Sequence, residues 1–225
     1  TEDSFVRDGI MRALFDSVLF RDVALQGAIQ NTDQLMRIVA YLMENVGNPV
    51  SASKIANYLT SAGLKTYPET IGRYLQLLEE AFVFYRAERY DIRGKMRLKT
   101  LGKYYVVDLG LRNFVLGRPD INRGSQIENV VFLRLLQGGY KVFVGKYDEK
   151  EIDFVCFKGQ KVKYIQVCER LPKDSDREID NLLLARDNYE RLVVTMNTLD
   201  VGVRRGIEVM HIHDFLLTGD RKSVV

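Results

Sequence analysis

Three residues in the second half of the chain, Glu128, Asp153 and Gln166, are of types that can hold a metal against a phosphate ester, and Cys168 lies two residues beyond the last of them. Carboxylates hold Mg²⁺, a hard cation that takes few protein ligands and keeps several waters. A metal so held activates a water and stabilises charge on the phosphate. The amide oxygen of Gln166 is a further hard ligand. Cys168 does not fit this set. Its thiol carries no positive charge and its thiolate is negative, so it cannot do the work of an ammonium group beside a metal. The stretches Glu151-Ile152-Asp153-Phe154-Val155 and Tyr164-Ile165-Gln166-Val167-Cys168 alternate with period two, which predicts two strands. Asp153 shares a face with Glu151, and Gln166 shares one with Cys168. The short link Lys158-Gly159-Gln160-Lys161 predicts a hairpin. Glu128 falls on a helix just before it.

A second group is basic. Arg86, Arg89, Arg93, Lys95, Arg97, Lys99 and Lys103 stand against only Glu88 and Asp91, with Tyr85, Tyr90, Tyr104 and Tyr105 interleaved. Such a run can lie along a phosphate backbone, each contact releasing counterions. It can equally be a solvated hairpin or a protein-docking surface. The helix predicted over 68–82 turns Arg73 outward beside Glu69, Thr70, Gln76, Glu79 and Glu80. Its acidic members repel phosphate, so any DNA contact is expected to be non-specific. His211 and His213 lie two apart on a predicted strand. With Cys168 or Asp214 they offer zinc donors, but no CxxC or HxxxH accompanies them, and an edge strand is the simpler reading.

The elements that position these groups follow from periodicity. Residues 1–30 read as a helix with Ile10, Leu14, Val18, Leu19 and Val23 inward, a helical linker from something upstream. Residues 31–117 form the next block. Leu35, Ile38, Val39, Leu42, Met43 and Val46 make one apolar stripe. Ser51 or Ser53 caps a second helix with Ile55, Ala56 and Leu59 inward. Pro68 suits the first turn of a third, whose inward set is Ile71, Tyr74, Leu75, Leu78 and Phe82. A hairpin turning at Asp91-Ile92-Arg93-Gly94 completes a winged helix-turn-helix. Residues 118–225 form the last block: a linker punctuated by Gly117 and Gly124, a helix over 125–137, strands over 140–144, 151–157 and 162–168, a helix over 176–190, and strands over 191–196 and 207–212. This is an α/β (α+β) layered plan.

Composition narrows the class. The apolar fraction of 46% supports proper cores, and the net charge of +3 neither demands nor excludes nucleic acid. Two cysteines in predicted strands suit reduced thiols in a cytoplasm. No run approaches the ~18 uninterrupted apolar residues of a membrane span, so no membrane partner is expected.

Several stretches resemble one family in order along nearly the whole chain: Phe20-Arg21-Asp22-Val23, Leu77-Leu78-Glu79-Glu80-Ala81-Phe82, Lys103-Tyr104-Tyr105-Val106-Val107-Asp108-Leu109-Gly110-Leu111-Arg112-Asn113, Gln126-Ile127-Glu128-Asn129-Val130-Val131-Phe132, Glu151-Ile152-Asp153-Phe154 and Tyr164-Ile165-Gln166-Val167. The chain resembles the C-terminal part of a family of prokaryotic AAA-superfamily ATPases, where the ATPase is followed by a domain of unknown function. The resemblance implies a winged helix followed by a restriction-endonuclease-like PD-(D/E)xK domain. In that nuclease fold a helical Glu, a strand Asp and an x-(D/E/Q)-x-Lys strand build the metal site. Glu128, Asp153 and Gln166 match, with Glu128 and Asp153 as the Mg²⁺ ligands, and Cys168 stands where the lysine belongs.

No Gly-x-x-x-x-Gly-Lys-(Ser/Thr) loop occurs in the chain. ATP is therefore expected only in an upstream ATPase domain, as the cofactor of a longer protein. The expected function is a non-catalytic module binding DNA or a protein partner, its nuclease site a remnant with no cofactor of its own. Two alternatives stay open. One is a live nuclease with Mg²⁺ and a lysine brought in from Lys146, Lys150 or Lys163. The other is an assembly module without nucleic acid. Oligomeric state is not legible.

Overall fold

A computed structural model describes residues 2–25, 27, 29, 31–117, 122–172 and 175–218. The fold is mixed α/β and falls into two compact units, residues 1–86 with 103–121, and residues 87–102 with 122–225. No helix among the described residues is long and apolar enough to cross a membrane.

The first unit is mostly helical. Helix α1 (Glu2–Asp16) runs into a wider π-turn segment (Ser17–Leu25). The buried residues here are Phe15, Leu19, Val23 and Ala24, whereas Ile10 and Leu14 are exposed. The expected inward stripe is thus corrected in its first half. Helix α2 (Thr32–Glu44) is capped by Asn31, whose side chain accepts the Gln34 N–H, and its whole predicted stripe is buried. Helix α3 (Ala52–Ser61) is capped by Ser51 through the Lys54 N–H at 3.2 Å, which settles the choice against Ser53. Helix α4 (Pro68–Glu80) buries Ile71, Tyr74, Leu75 and Leu78. Phe82 is the exception, being exposed at φ +54°. The helix ends two residues before it, and the left-handed turn carries its ring outward.

Strand β1 (Pro49–Val50) precedes α3; strands β2 (Phe84–Asp91) and β3 (Met96–Val106) follow α4 as neighbours in the sheet. Lys103 is buried at 4% exposure, so it leaves the basic surface to which the sequence assigned it. Helix α5 (Leu109–Leu116) is capped by Asp108, which accepts the Leu111 N–H at 2.7 Å. Inside it, fully buried Arg112 donates from Nε to the Met43 carbonyl at 2.6 Å, satisfying an acceptor that the end of α2 leaves open.

The second unit is a mixed sheet with helices packed on it. Its elements are helix α6 (Arg123–Gln137), strands β4 (Lys141–Tyr147), β5 (Lys150–Lys158) and β6 (Lys161–Cys168), helix α7 (Arg177–Leu183), strands β7 (Glu190–Thr195), β8 (Gly202–Arg204) and β9 (Ile207–His211), and helix α8 (Ile212–Thr218). The outer part of β2 runs parallel to β4; β4–β5 and β5–β6 are antiparallel; β6–β7 and β7–β9 are parallel; β8 lies antiparallel to β9. The core includes Ile92, Ile152, Val155, Tyr164, Ile179, Leu182, Val193 and Val209.

Four expectations change here. Helix α6 starts at Arg123, capped by Asn122, so Gly124 lies inside it rather than in a linker. Helix α7 stops at Leu183, short of the expected 190. Strand β8 and helix α8 had no expected counterpart. His211 ends β9 while His213 lies in α8, so they do not share a strand face. The Nδ1 of His211 accepts the His213 backbone N–H at 3.2 Å, so its Nε2 carries the proton and donates to the Met196 carbonyl at 3.0 Å. Residues 118–121 and 219–225, which the sequence placed in a linker and at the end of the last domain, lie outside the described residues.

Candidate functional site

The β5–β6 hairpin forms as expected, and an irregularity shapes its centre. Phe143 pairs with Val155 and Gly145 with Ile152, so Asp153 and Phe154 together oppose Val144. Two residues against one make a β-bulge, a device that re-aims a side chain. It lets Ile152 and Val155 both enter the core. Phe154, by contrast, meets Phe132 of α6 with ring centroids 5.9 Å apart.

Asp153 and Gln166 are brought together. The Asp153 N–H donates to Gln166 Oε1 at 3.3 Å, and Asp153 Oδ2 accepts the Val167 N–H at 2.7 Å. Both side chains are buried. One carboxylate oxygen of Asp153 and the amide oxygen of Gln166 thus already serve the backbone of the neighbouring strand.

Cys168 sits half-buried opposite Thr195 of β7. Burial pushes its thiol up to about 12, and the carboxylates of Glu178, Asp200 and Asp153 push the same way against a lowering hydrogen bond with Thr195. The position therefore holds a thiol kept neutral by burial, with carboxylate charge acting in the same direction. Cys156 is fully buried, and its thiol is raised by desolvation, offset in part by Lys163. Neither cysteine is in a disulfide.

The carboxylates that raise the Cys168 thiol are those of Glu178, Asp200 and Asp153. Glu128 lies half-buried on α6. Glu178 sits on α7, in a charged run that reads as a solvated face, and one of its carboxylate oxygens is buried. Asp200 accepts the Leu171 N–H at 2.7 Å and stands 3.4 Å from Arg204. Nothing in the local sequence pattern singles out either one. Among the described residues, no three of His, Cys, Asp or Glu converge as a metal site. Of the donors that the nuclease pattern implies, Asp153 Oδ2 and Gln166 Oε1 each already accept a backbone N–H. Of the candidate replacement lysines, Lys163 pairs with Glu190 at 3.1 Å.

The basic residues divide. Arg93 pairs with Asp148 at 3.1 Å on the surface, and Arg89 with Glu151 at 3.6 Å in a more shielded setting. Lys95 is exposed at the hairpin turn, at φ +49°. Asp91 shapes that turn by accepting the Arg93 and Gly94 N–H groups, each at 3.1 Å. Arg97 lies over the Phe143 ring, 4.9 Å from its centroid. Arg86 is exposed and lowers the Tyr104 hydroxyl, although burial and Glu79 raise it further. Arg73 donates to the Gly27 carbonyl at 2.5 Å, which turns its guanidinium toward its own unit. The side chain of Lys99 lies outside the described residues.

Comparison with known proteins gives a family but no activity. The profile of a family described as "Domain of unknown function (DUF8612)" matches residues 1–122. An uncharacterized protein of Haemophilus influenzae is 42% identical over 215 residues, which is 96% of this chain and 54% of that protein. An uncharacterized protein of Methanocaldococcus jannaschii is 29% identical over 208 residues, 87% of this chain and 46% of that protein. The chain thus spans about half the length of the curated relatives it matches. Among solved structures, protein VC1899 from Vibrio cholerae aligns at a TM-score of 0.30 and 15% identity, over 83% of this chain and 55% of that one.

Proposed function

The chain belongs to the family defined by that domain of unknown function, DUF8612, and from this premise we propose that it is a non-catalytic, nucleic-acid-contacting region of a longer AAA-superfamily ATPase. In this reading α2 to α4 and the β2–β3 hairpin act as a winged helix-turn-helix. The second unit is a PD-(D/E)xK scaffold that has lost its cutting chemistry. The ATPase lies elsewhere in the longer protein and is the chain's first partner. The setting is the cytoplasm, where both cysteines stay reduced.

The setting of Cys168 carries the reading. Phosphodiester hydrolysis on this scaffold needs a cation beside the metal to orient water and offset charge. Here the position holds a half-buried thiol that burial keeps neutral, with the carboxylate charges of Glu178, Asp200 and Asp153 acting the same way. Asp153 and Gln166 meanwhile brace β6. What the surface offers nucleic acid is positive charge on the 87–102 hairpin, where each phosphate contact gains from counterion release.

The test uses the purified chain with labelled single- and double-stranded DNA, in Mg²⁺ and in Mn²⁺. The expected result is no cleavage, with binding that is non-specific, falls steeply with salt, and weakens in Arg93→Glu with Lys95→Glu. Cleavage abolished by Asp153→Ala would establish the nuclease instead. Absence of binding at low salt would leave the assembly role.

A further inference from the structure

Within the second unit a cavity of about 410 Å³ is lined by Tyr90, Arg97, Lys141, Phe143, Phe157 and Lys158, with two glycines at its edge. The volume falls in the range of small-ligand sites. Its aromatic residues form one cluster. Tyr90 and Phe157 meet at 5.2 Å between centroids, Phe143 and Phe157 at 5.7 Å, and Tyr90 and Phe143 at 6.0 Å. The charged lining is entirely cationic, and all three cations are exposed. Among the described residues no carboxylate forms an ion pair with Arg97 or Lys141. Lys158 lies 5.3 Å from the centre of the Tyr140 ring.

We propose that this cavity binds a nucleobase together with its phosphate, the base stacking in the Tyr90–Phe143–Phe157 cluster and the phosphate meeting Arg97, Lys141 and Lys158. Aromatic faces accept any base because every base has a π-face, and surrounding cations track the backbone; this is how single strands are held without sequence preference. The Arg97 guanidinium, already stacked on Phe143, offers both a planar surface and phosphate donors. The proposal deepens the nucleic-acid reading and rests on it. It moves the principal contact from the hairpin turn to the surface where β2, β4 and β5 meet. It also favours a single strand, because a base still paired inside a duplex has its faces covered by its neighbours and is not free to stack on the rings.

The test is fluorescence polarisation of end-labelled oligothymidylate, a duplex of equal length, and thymidine monophosphate as competitor. Phe157→Leu keeps apolar volume while removing the ring. Lys141→Gln and Lys158→Gln alter only exposed side chains and cannot unfold the core. Wild type is expected to prefer the single strand. Phe157→Leu should lose about 10-fold on the single strand, from the stacking energy of ~1–3 kcal/mol per base, and little on the duplex. The lysine double variant should weaken binding and flatten its salt dependence. Single-strand affinity unchanged in both variants overturns the proposal. If the hairpin variant Arg93→Glu with Lys95→Glu then still loses affinity, the broader reading survives without the cavity. Binding of thymidine monophosphate, read directly by calorimetry, with no oligonucleotide binding keeps the cavity, assigns it a free nucleotide, and removes the broader reading.

Discussion

The carboxylate of Asp153 accepts the backbone N–H of Val167 at 2.7 Å. With the reciprocal bond from its own N–H to Gln166, it ties β5 to β6 past the Phe154–Ile165 pair. A residue of catalytic type is thereby acting as a strand brace. Asp153→Ala leaves the part-buried Val167 N–H without that acceptor, which costs about 1–3 kcal/mol. Asp153→Asn keeps an accepting oxygen and should cost less. Urea unfolding of the two variants checks the order. An unchanged midpoint in Asp153→Ala would show that the brace contributes nothing.

Gly145 sits beside the bulge that aims Asp153, paired with Ile152. A Cβ there would meet Val155 Cγ2 at 2.8 Å, Ile92 Cδ1 at 3.0 Å and Ile152 Cβ at 3.1 Å. All three are core residues, so none can swing into solvent. Gly145→Ala is expected to destabilise by about 1–3 kcal/mol, the usual cost of overpacking. A thermal melt reads this directly. Because Ile92 is the anchor of the hairpin turn, hydrogen exchange at the Ile92 N–H, which bonds the Lys146 carbonyl at 2.9 Å, should rise in the same variant.

The thiol of Cys168 is raised from 9.0 to about 12, first by burial. The sign follows from the neutral form being favoured in the fold. Below pH 9 the stabilising difference is fully present. As pH climbs through 9 the unfolded chain releases its proton and the folded chain does not, so stability falls until pH passes about 12. Denaturation midpoints should decline with pH across that window, and Cys168→Ser should show a shallower decline. At pH 8 alkylation by iodoacetamide should be slow in the native state and fast in urea. Rapid native alkylation at Cys168 would contradict its setting.

How much of this was legible in the sequence depends on the range of the forces involved. The stripes of α2 and α3 were read correctly because helical periodicity is local and their apolar faces are wide. The Asp153–Gln166 encounter was legible too, since a short hairpin fixes cross-strand partners. Ile10 and Leu14 failed because nothing in a helix says what will cover it. Glu178 and Asp200 were invisible because the charges that act on the Cys168 thiol come from elements apart from it in sequence. The same holds for the cavity, whose rings come from β2, β4 and β5 and make no pattern along the chain.

Arg191 gives the sharpest case of long-range control over a local pattern. Charged and apolar residues continue helically past Leu183, yet α7 stops there. From β7 the Arg191 guanidinium donates to the carbonyls of Leu182, Ala185 and Asp187 and to the Asp187 carboxylate. These carbonyls belong to the end of the helix and the turn after it, so one planar fork holds the chain in a non-helical path. Asp187 in turn accepts the Tyr164 hydroxyl at 2.7 Å, fastening the turn to β6. Arg191→Ala should cost about 2–4 kcal/mol, since several bonds to a charged group are lost and part-buried carbonyls are left open. Arg191→Lys should recover less than half, because a single ammonium cannot span the fork. Hydrogen exchange over residues 184–189, beside urea midpoints for both variants, separates this from a general loss of packing. Equal stability of the lysine variant and wild type would mean that charge alone, not the geometry of the fork, ends the helix.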